Sequence, residues 1–266
     1  MTPRAAPAMA AALMLAACAS TTPREPAVAT VSAGYLSDES LARLADVVPP
    51  PPTPGSPRDL EDRAASARLA ALEDTDRWLL ATSHAELRPP LALQHFDCVL
   101  GVRLGSAETP RLDRLMAKVF HDAESVAEQV KARARRPRPV GDDPDRRACQ
   151  RVEAAGRASA SYPSGSAAVG AAYAEAFALL QPDRTEAVQR IGHEIGISRL
   201  ICAMHYPSDV EAGEAIGRAV MAEVATTPSF HADAEAARAE LAVARATGRT
   251  NPGCAAERAA LATPLP

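Results

Sequence analysis

The sequence predicts an all-α protein, a single helical domain, and three observations carry that prediction. Aromatic residues make up only 3% of the chain. The core must therefore be filled by Ala, Leu, Val and Ile, which suits closely packed helices better than a β-sandwich. Apolar residues recur at helical spacing over several long segments, and no stretch alternates convincingly at the period of a strand. No internal repeat is visible. A chain of 266 residues can build one substantial core, or at most two small ones. Its formal net charge of −4 gives no electrostatic case for nucleic-acid binding.

The chain opens with an address. Arg4 supplies a positive start, and Ala8 to Leu15 is an apolar run too short to span a bilayer. It ends in Leu15-Ala16-Ala17-Cys18, which resembles the lipobox of bacterial lipoproteins, in which the Cys is lipidated and becomes the mature N-terminus. Residues 1–17 then read as a leader and residues 18–33, rich in Ala, Ser, Thr and Pro, as a tether. With or without lipid, such a leader exports the protein. "VVPPPPTPGS", residues 47–56, is a polyproline-type stretch expected to lie over the surface. From Ser56, a cap with Pro57 at the first helical position, residues 56–81 follow a helical pattern, and Trp78 within it is expected in the core or lining a groove.

A second helix starts at Thr109-Pro110. Leu112, Leu115, Met116, Val119, Ala123, Val126 and Val130 form one stripe along it. "RPRPVGDDPD" breaks it. Further helices follow Ser164-Gly165, run through Glu186–Arg199, restart near Pro207 and occupy about His231–Ala246. The folded domain is expected over residues 34–250, with 251–266 as a C-terminal tail. Without Cys18, four cysteines remain: Cys98, Cys149, Cys202 and Cys254. In an oxidising compartment they permit two disulfides, and the sequence leaves all three pairings open. Their spacing matches no zinc pattern, and no clustered carboxylates or His-x-His spacing would hold a divalent ion.

Three clusters carry chemistry. In Lys131 to Arg138-Pro139, the basic residues suit a helix C-terminus, but they also include Lys131 and Arg138, which can converge on an anion. Lys131 is one of only two lysines in an Arg-rich chain, the other being Lys118. In Tyr162-Pro163-Ser164-Gly165-Ser166, a tight turn opens into a helix. The Ser164 hydroxyl and the Gly165 N–H can cradle a phosphate there, although the same pattern also marks an ordinary capped helix start. In Ser198-Arg199 to His205 to Asp209, Pro207 prevents an unbroken helix, so His205 is expected at a kink with Asp209 in the next first turn. Asp209 could then accept a hydrogen bond from one imidazole nitrogen and leave the other as an outward lone pair.

In order and spacing, the clusters read Lys-x6-Arg-Pro, Pro-Ser-Gly and Ser-Arg-x5-His-x3-Asp. This resembles the tripartite signature of the type 2 phosphatidic acid phosphatase superfamily, and specifically its bacterial class A non-specific acid phosphatases. "PPPPTPGS", "FDCVLGVRLGSAETPRL", "SYPSG" and "HEIGISRLICAMHYPSDVEAG" are similar to that branch over roughly residues 33–247. The resemblance implies an exported, helical phosphomonoesterase that needs neither metal nor other cofactor and acts on small phosphoesters. Lys131, Arg138 and Arg199 would bind the phosphoryl oxygens, and Ser164 and the Gly165 backbone would complete the cradle. His205 would attack phosphorus to give a phosphohistidine, oriented by Asp209.

This sequence departs from the family at Ser166. The family has Pro-Ser-Gly-His, and that His is taken as the acid that protonates the leaving alkoxide. A serine hydroxyl is far too weak an acid for the task. His193 does not match the missing position and is expected to be structural or exposed, while Glu194 can be a buried acid or a packing partner. Good leaving groups would then be favoured. Two other readings compete: a catalytically silent phosphate-binding lipoprotein at the outer membrane, facing the periplasm, and a vanadate-dependent haloperoxidase.

Overall fold

The computed structural model describes Met1, residues 33–105 and residues 108–266, and among these residues it contains no strand. Cys18 and residues 2–32, which include nearly all of the expected leader and tether, lie outside the described residues. The helices run in chain order as α1 (Asp38–Asp46), α2 (Pro57–Arg68), α3 (Asp76–Ser83), α4 (Asp97–Leu100), α5 (Pro110–Arg133), α6 (Pro139–Asp142), α7 (Ala154–Ala158), α8 (Gly165–Leu180), α9 (Thr185–Ile201), α10 (Pro207–Val224), α11 (Pro228–Ala246) and α12 (Cys254–Leu261). The all-α prediction holds. Among the described residues, no helix is long and apolar enough to cross a membrane.

Helix α8 is the axis of the fold. It is rich in alanine, and most of its residues are buried, with α5, α9 and α10 packed around it. Small side chains permit this closeness. A Cβ built on Gly213 of α10 would collide with the carbonyl oxygen of Ser164, and one on Gly217 with that of Ala168. Those two glycines set how near α10 lies to the first turns of α8. The seven stripe residues of α5 are each at most 2% exposed, so the helical period read from sequence is the buried face. Trp78 is buried as well.

Two segments differ from expectation. The helical pattern of residues 56–81 is broken into α2, a 3-10 turn at Leu69–Leu72, and α3. Asp74, between the 3-10 turn and α3, adopts φ 61°, and the Thr75 side chain caps α3 by accepting from Trp78 N–H. The stretch after residue 250, expected as a tail, contains α12. Cys254 is joined to Cys98, and Asn251 Nδ2 donates to Asp97 Oδ2 at 3.0 Å, which binds this end to the domain. Cys149 pairs with Cys202, so the pairing left open by the sequence is 98–254 and 149–202.

Candidate active site

Main-chain hydrogen bonds stitch the three clusters together. Ser161 N–H donates to Arg136 O (2.8 Å), Ser164 N–H to Asp209 O (2.9 Å), Val140 N–H to Ala203 O (3.1 Å) and Met204 N–H to Arg199 O (3.1 Å). The break after α5, the turn into α8 and the link from α9 to α10 therefore meet at one point. There, Lys131, Arg138, Gly165, Ser166, Arg199 and His205 line one cavity of about 190 Å³, together with Glu124 and Glu128. A larger, mostly apolar cavity of about 620 Å³ lies between the polyproline stretch and α10, and it holds none of the three motif cations.

The cations make this cavity electrostatically suited to an anion. Arg199 is buried, and burial with the charge of Arg138 lowers its pKa to about 10, so it stays charged at neutral pH. Its Nη1 lies 3.7 Å from Cys202 Sγ in a long hydrogen bond, and its Nε has no partner among the described residues. Arg138 donates from Nε to Ser159 Oγ (2.8 Å) and from Nη1 to Met204 O (2.9 Å). Neither guanidinium has a carboxylate partner among the described residues. Burying charge without a counter-charge is costly, and two adjacent buried guanidiniums are a standing demand for an anion. Lys131 at the end of α5 pairs with Glu128, and its Nζ lies 3.7 Å from where a Cβ of Gly165 would stand. It therefore approaches the N-terminus of α8, which adds partial positive charge.

Ser164 stands at the expected turn, as the residue that starts α8. It is fully buried, does not line the cavity, and accepts Ala167 N–H at 3.2 Å as the N-cap of α8. Its measurable part here is to fix the helix start, which presents Gly165 and Ser166 to the cavity. Ser166 is half-buried and does line it.

The His205 ring is held by an acceptor that the sequence could not reveal. Its Nδ1–H donates to the Ser161 carbonyl at 2.7 Å, whereas Asp209 Oδ2 lies 3.8 Å from the same nitrogen. The expected hydrogen bond from His205 to Asp209 is thus replaced by one to the main chain. The reason is local. Asp209 Oδ2 accepts Tyr206 N–H at 2.8 Å in the capping box of α10, and its Oδ1 accepts Arg136 Nη1 at 2.7 Å. With Nδ1 as the donor, Nε2 carries the lone pair, and Arg138 Nη1 lies 3.2 Å from it. Burial, with help from Arg138 and Arg199, pulls the His205 pKa down to about 3 against the pull of Asp209. Its imidazole is neutral across the whole mildly acidic range. Burial pushes Asp209 up, but the His205 ring, Arg136 and Tyr206 N–H outweigh it and hold the carboxylate below its usual value.

Arg136 belongs to no motif of the sequence, yet it organises the back of the site. Buried at the back of the site, it donates to Asp59 (2.9 Å), Asp62 (2.8 Å), Asp209 (2.7 Å) and Ser208 Oγ (2.7 Å), and it stacks on the Tyr206 ring at 4.3 Å. Asp59 and Asp62 lie on α2, and nothing in one sequence pairs them with a distant arginine. Of the two residues weighed as a substitute acid, His193 is exposed and bonds Glu214 at 2.6 Å, and Glu194 pairs with buried Arg77. Neither lines the cavity.

Comparisons with known proteins show what the chain is similar to. A family model described as the PAP2 superfamily matches residues 119–231. An acid phosphatase of Zymomonas mobilis is 32% identical over 202 residues, 76% of each chain. A non-specific acid phosphatase of Providencia stuartii is 27% identical over 209 residues, covering 78% of this chain and 84% of that one. Among solved structures, a transmembrane PAP2 type phosphatidylglycerolphosphate phosphatase from Bacillus subtilis aligns with a TM-score of 0.48 at 18% identity, covering 70% of this chain and 91% of that one.

Proposed function

Since this chain belongs to the PAP2 superfamily and is homologous to bacterial acid phosphatases, we propose that it is a phosphomonoester hydrolase of the class A acid-phosphatase type, working through a phosphohistidine on His205. The observation that carries the reading is the pair of buried, carboxylate-free guanidiniums, Arg138 and Arg199, beside a neutral imidazole in one cavity. Phosphoryl transfer is largely positioning and charge neutralisation. Arg138, Arg199 and Lys131 neutralise the phosphoryl oxygens, and the N–H groups at the start of α8 add donors. The Nε2 lone pair of His205 attacks phosphorus in line, and the P–O bond to the leaving group breaks. The positive charge on the phosphorylated ring is shared by the Ser161 carbonyl and the Asp209 carboxylate. Water then attacks phosphorus and returns Nε2 to its neutral form. No metal is required by this scheme.

Ser166 shapes the substrate range. It can donate a hydrogen bond but cannot protonate an alkoxide. The route that lacks an acid favours aryl phosphates, acyl phosphates and anhydrides, whose leaving groups depart unprotonated. Alkyl esters need a proton from elsewhere in the cavity. The cell location that fits the leader and the relatives is the periplasm, with Cys18 lipidated and the domain from residue 34 carried on a tether. The test is turnover of p-nitrophenyl phosphate in EDTA, with and without vanadate, beside His205→Ala. EDTA-resistant, vanadate-inhibited turnover that disappears in the variant supports the proposal. Full turnover by His205→Ala overturns it, and phosphate binding without turnover of any ester would instead favour a silent binder.

A further inference from the structure

Which group, if any, supplies the proton that Ser166 cannot? Along α5, Glu124, Glu128 and Lys131 fall on one face at i, i+4 and i+7, and all three line the cavity that holds His205 and Ser166. Glu128 is exposed and committed to Lys131. Glu124 is half-buried and has no hydrogen bond or ion pair with any described side chain. It is the one carboxyl of the lining left uncommitted among the described residues. We propose that Glu124 is the acid of this enzyme, donating its proton to the leaving oxygen in place of the residue at position 166. This rests on the phosphohistidine reading.

The charges around Glu124 suit that task. Burial pushes its carboxyl up, and Glu128 adds to this, while Arg88 from the segment after α3 and Lys131 and His121 on its own helix oppose it; the net direction is upward. From α8, the Tyr173 hydroxyl faces the same region and donates to the Leu87 carbonyl at 2.8 Å. A carboxyl above its usual value is protonated over more of the acid range. In the first step, the Nε2 lone pair of His205 forms the N–P bond. The P–O bond breaks with its electron pair on oxygen, and the Glu124 proton goes to that oxygen, releasing the alcohol and leaving Glu124 as a carboxylate. In the second step, that carboxylate takes a proton from the attacking water as the N–P bond breaks, which restores the acid. The two working forms, neutral His205 and protonated Glu124, coexist only at acidic pH. Alkyl esters should therefore be hydrolysed only there, while aryl esters remain substrates at higher pH.

The experiment measures kcat/KM for glycerol phosphate and for p-nitrophenyl phosphate from acid to neutral pH, in wild type, Glu124→Gln and Glu124→Asp. Comparing variant with wild type at each pH removes the substrates' own ionisation. In wild type the alkyl-to-aryl ratio should fall as pH rises. In Glu124→Gln it should be low and flat, with the alkyl rate down by about 10²–10⁴-fold and the aryl rate by less than about tenfold. Glu124→Asp should keep the pH-dependent shape at reduced height, which a merely structural role would not produce. Retained aryl turnover shows that each variant is folded. An alkyl-to-aryl ratio in Glu124→Gln that matches wild type at every pH overturns the proposal and leaves the phosphohistidine reading standing. Aryl turnover that survives His205→Ala overturns both.

Discussion

Replacing Asp209 by Asn separates two roles that a nucleophile's carboxylate partner usually combines. In a triad where the carboxylate holds the imidazole tautomer, the Asn variant loses about 10⁴-fold in rate because the wrong nitrogen is protonated. Here Ser161 O accepts Nδ1–H at 2.7 Å, and Asp209 Oδ2 stands off at 3.8 Å. The tautomer should survive the substitution, and only charge stabilisation of the phosphorylated ring is lost. At 3.8 Å and an effective dielectric constant of about 20, a full charge pair is worth about 4 kcal/mol. With about half of the ring charge developed in the transition state, roughly 2 kcal/mol remains, or about 30-fold in rate. Arg136 on Oδ1 offsets part of the carboxylate's field, so the effect should not exceed about 100-fold. The assay is kcat/KM on p-nitrophenyl phosphate per folded enzyme, with thermal melting run in parallel because Asn leaves Arg136 and Tyr206 N–H to compete for one oxygen. Imidazole nitrogen NMR should show Nδ1 still protonated. A loss of about 10⁴-fold with a shifted tautomer would refute the reasoning, as would no loss at all.

Three further outcomes follow from the same geometry. Ser166→His, if the ring fits the small cavity, should raise kcat/KM for alkyl phosphates near neutral pH by up to about 10²–10⁴-fold and for p-nitrophenyl phosphate far less; equal gains would show that leaving-group protonation is not what position 166 controls. Gly213→Ala places a methyl against the Ser164 carbonyl, so it should destabilise the protein by about 1–3 kcal/mol and also lower kcat/KM by shifting the start of α8, read by melting and steady-state kinetics; an unchanged melting temperature would contradict the packing argument. Cys18→Ser should move the protein from the membrane fraction to the soluble periplasm, and a wild type already soluble there would exclude the anchor.

The parts of this molecule that were legible in the sequence are those in which local pattern decides the outcome. The α5 stripe is buried residue for residue because a long amphipathic helix has only one way to face a core. The Ser56-Pro57 start is where the cap chemistry puts it. The clustering of Lys131, Arg138, Arg199 and His205 was legible through the order and spacing of three motifs. What stayed hidden depended on partners far along the chain or on atoms without a side-chain identity. A main-chain carbonyl, Ser161 O, holds His205, and backbone atoms leave no mark in the sequence. Arg136 with Asp59 and Asp62 joins two segments far apart in the chain, so each residue alone reads as surface charge. Nothing in the α5 pattern singles out Glu124, because its surroundings come from α8 and the segment after α3. Ser164 caps α8, and the sequence does not separate a capping hydroxyl from a phosphate donor because the same group suits both tasks.

The central claim is that His205 becomes phosphorylated, so that hydrolysis proceeds by two successive in-line displacements at phosphorus. Stereochemistry tests this most directly. With a substrate whose phosphoryl group is made chiral by isotopic and sulfur labelling, turned over in labelled water, two displacements must return product with retained configuration at phosphorus. Inversion would mean a single displacement by water and would contradict the account, whatever the rates of the variants.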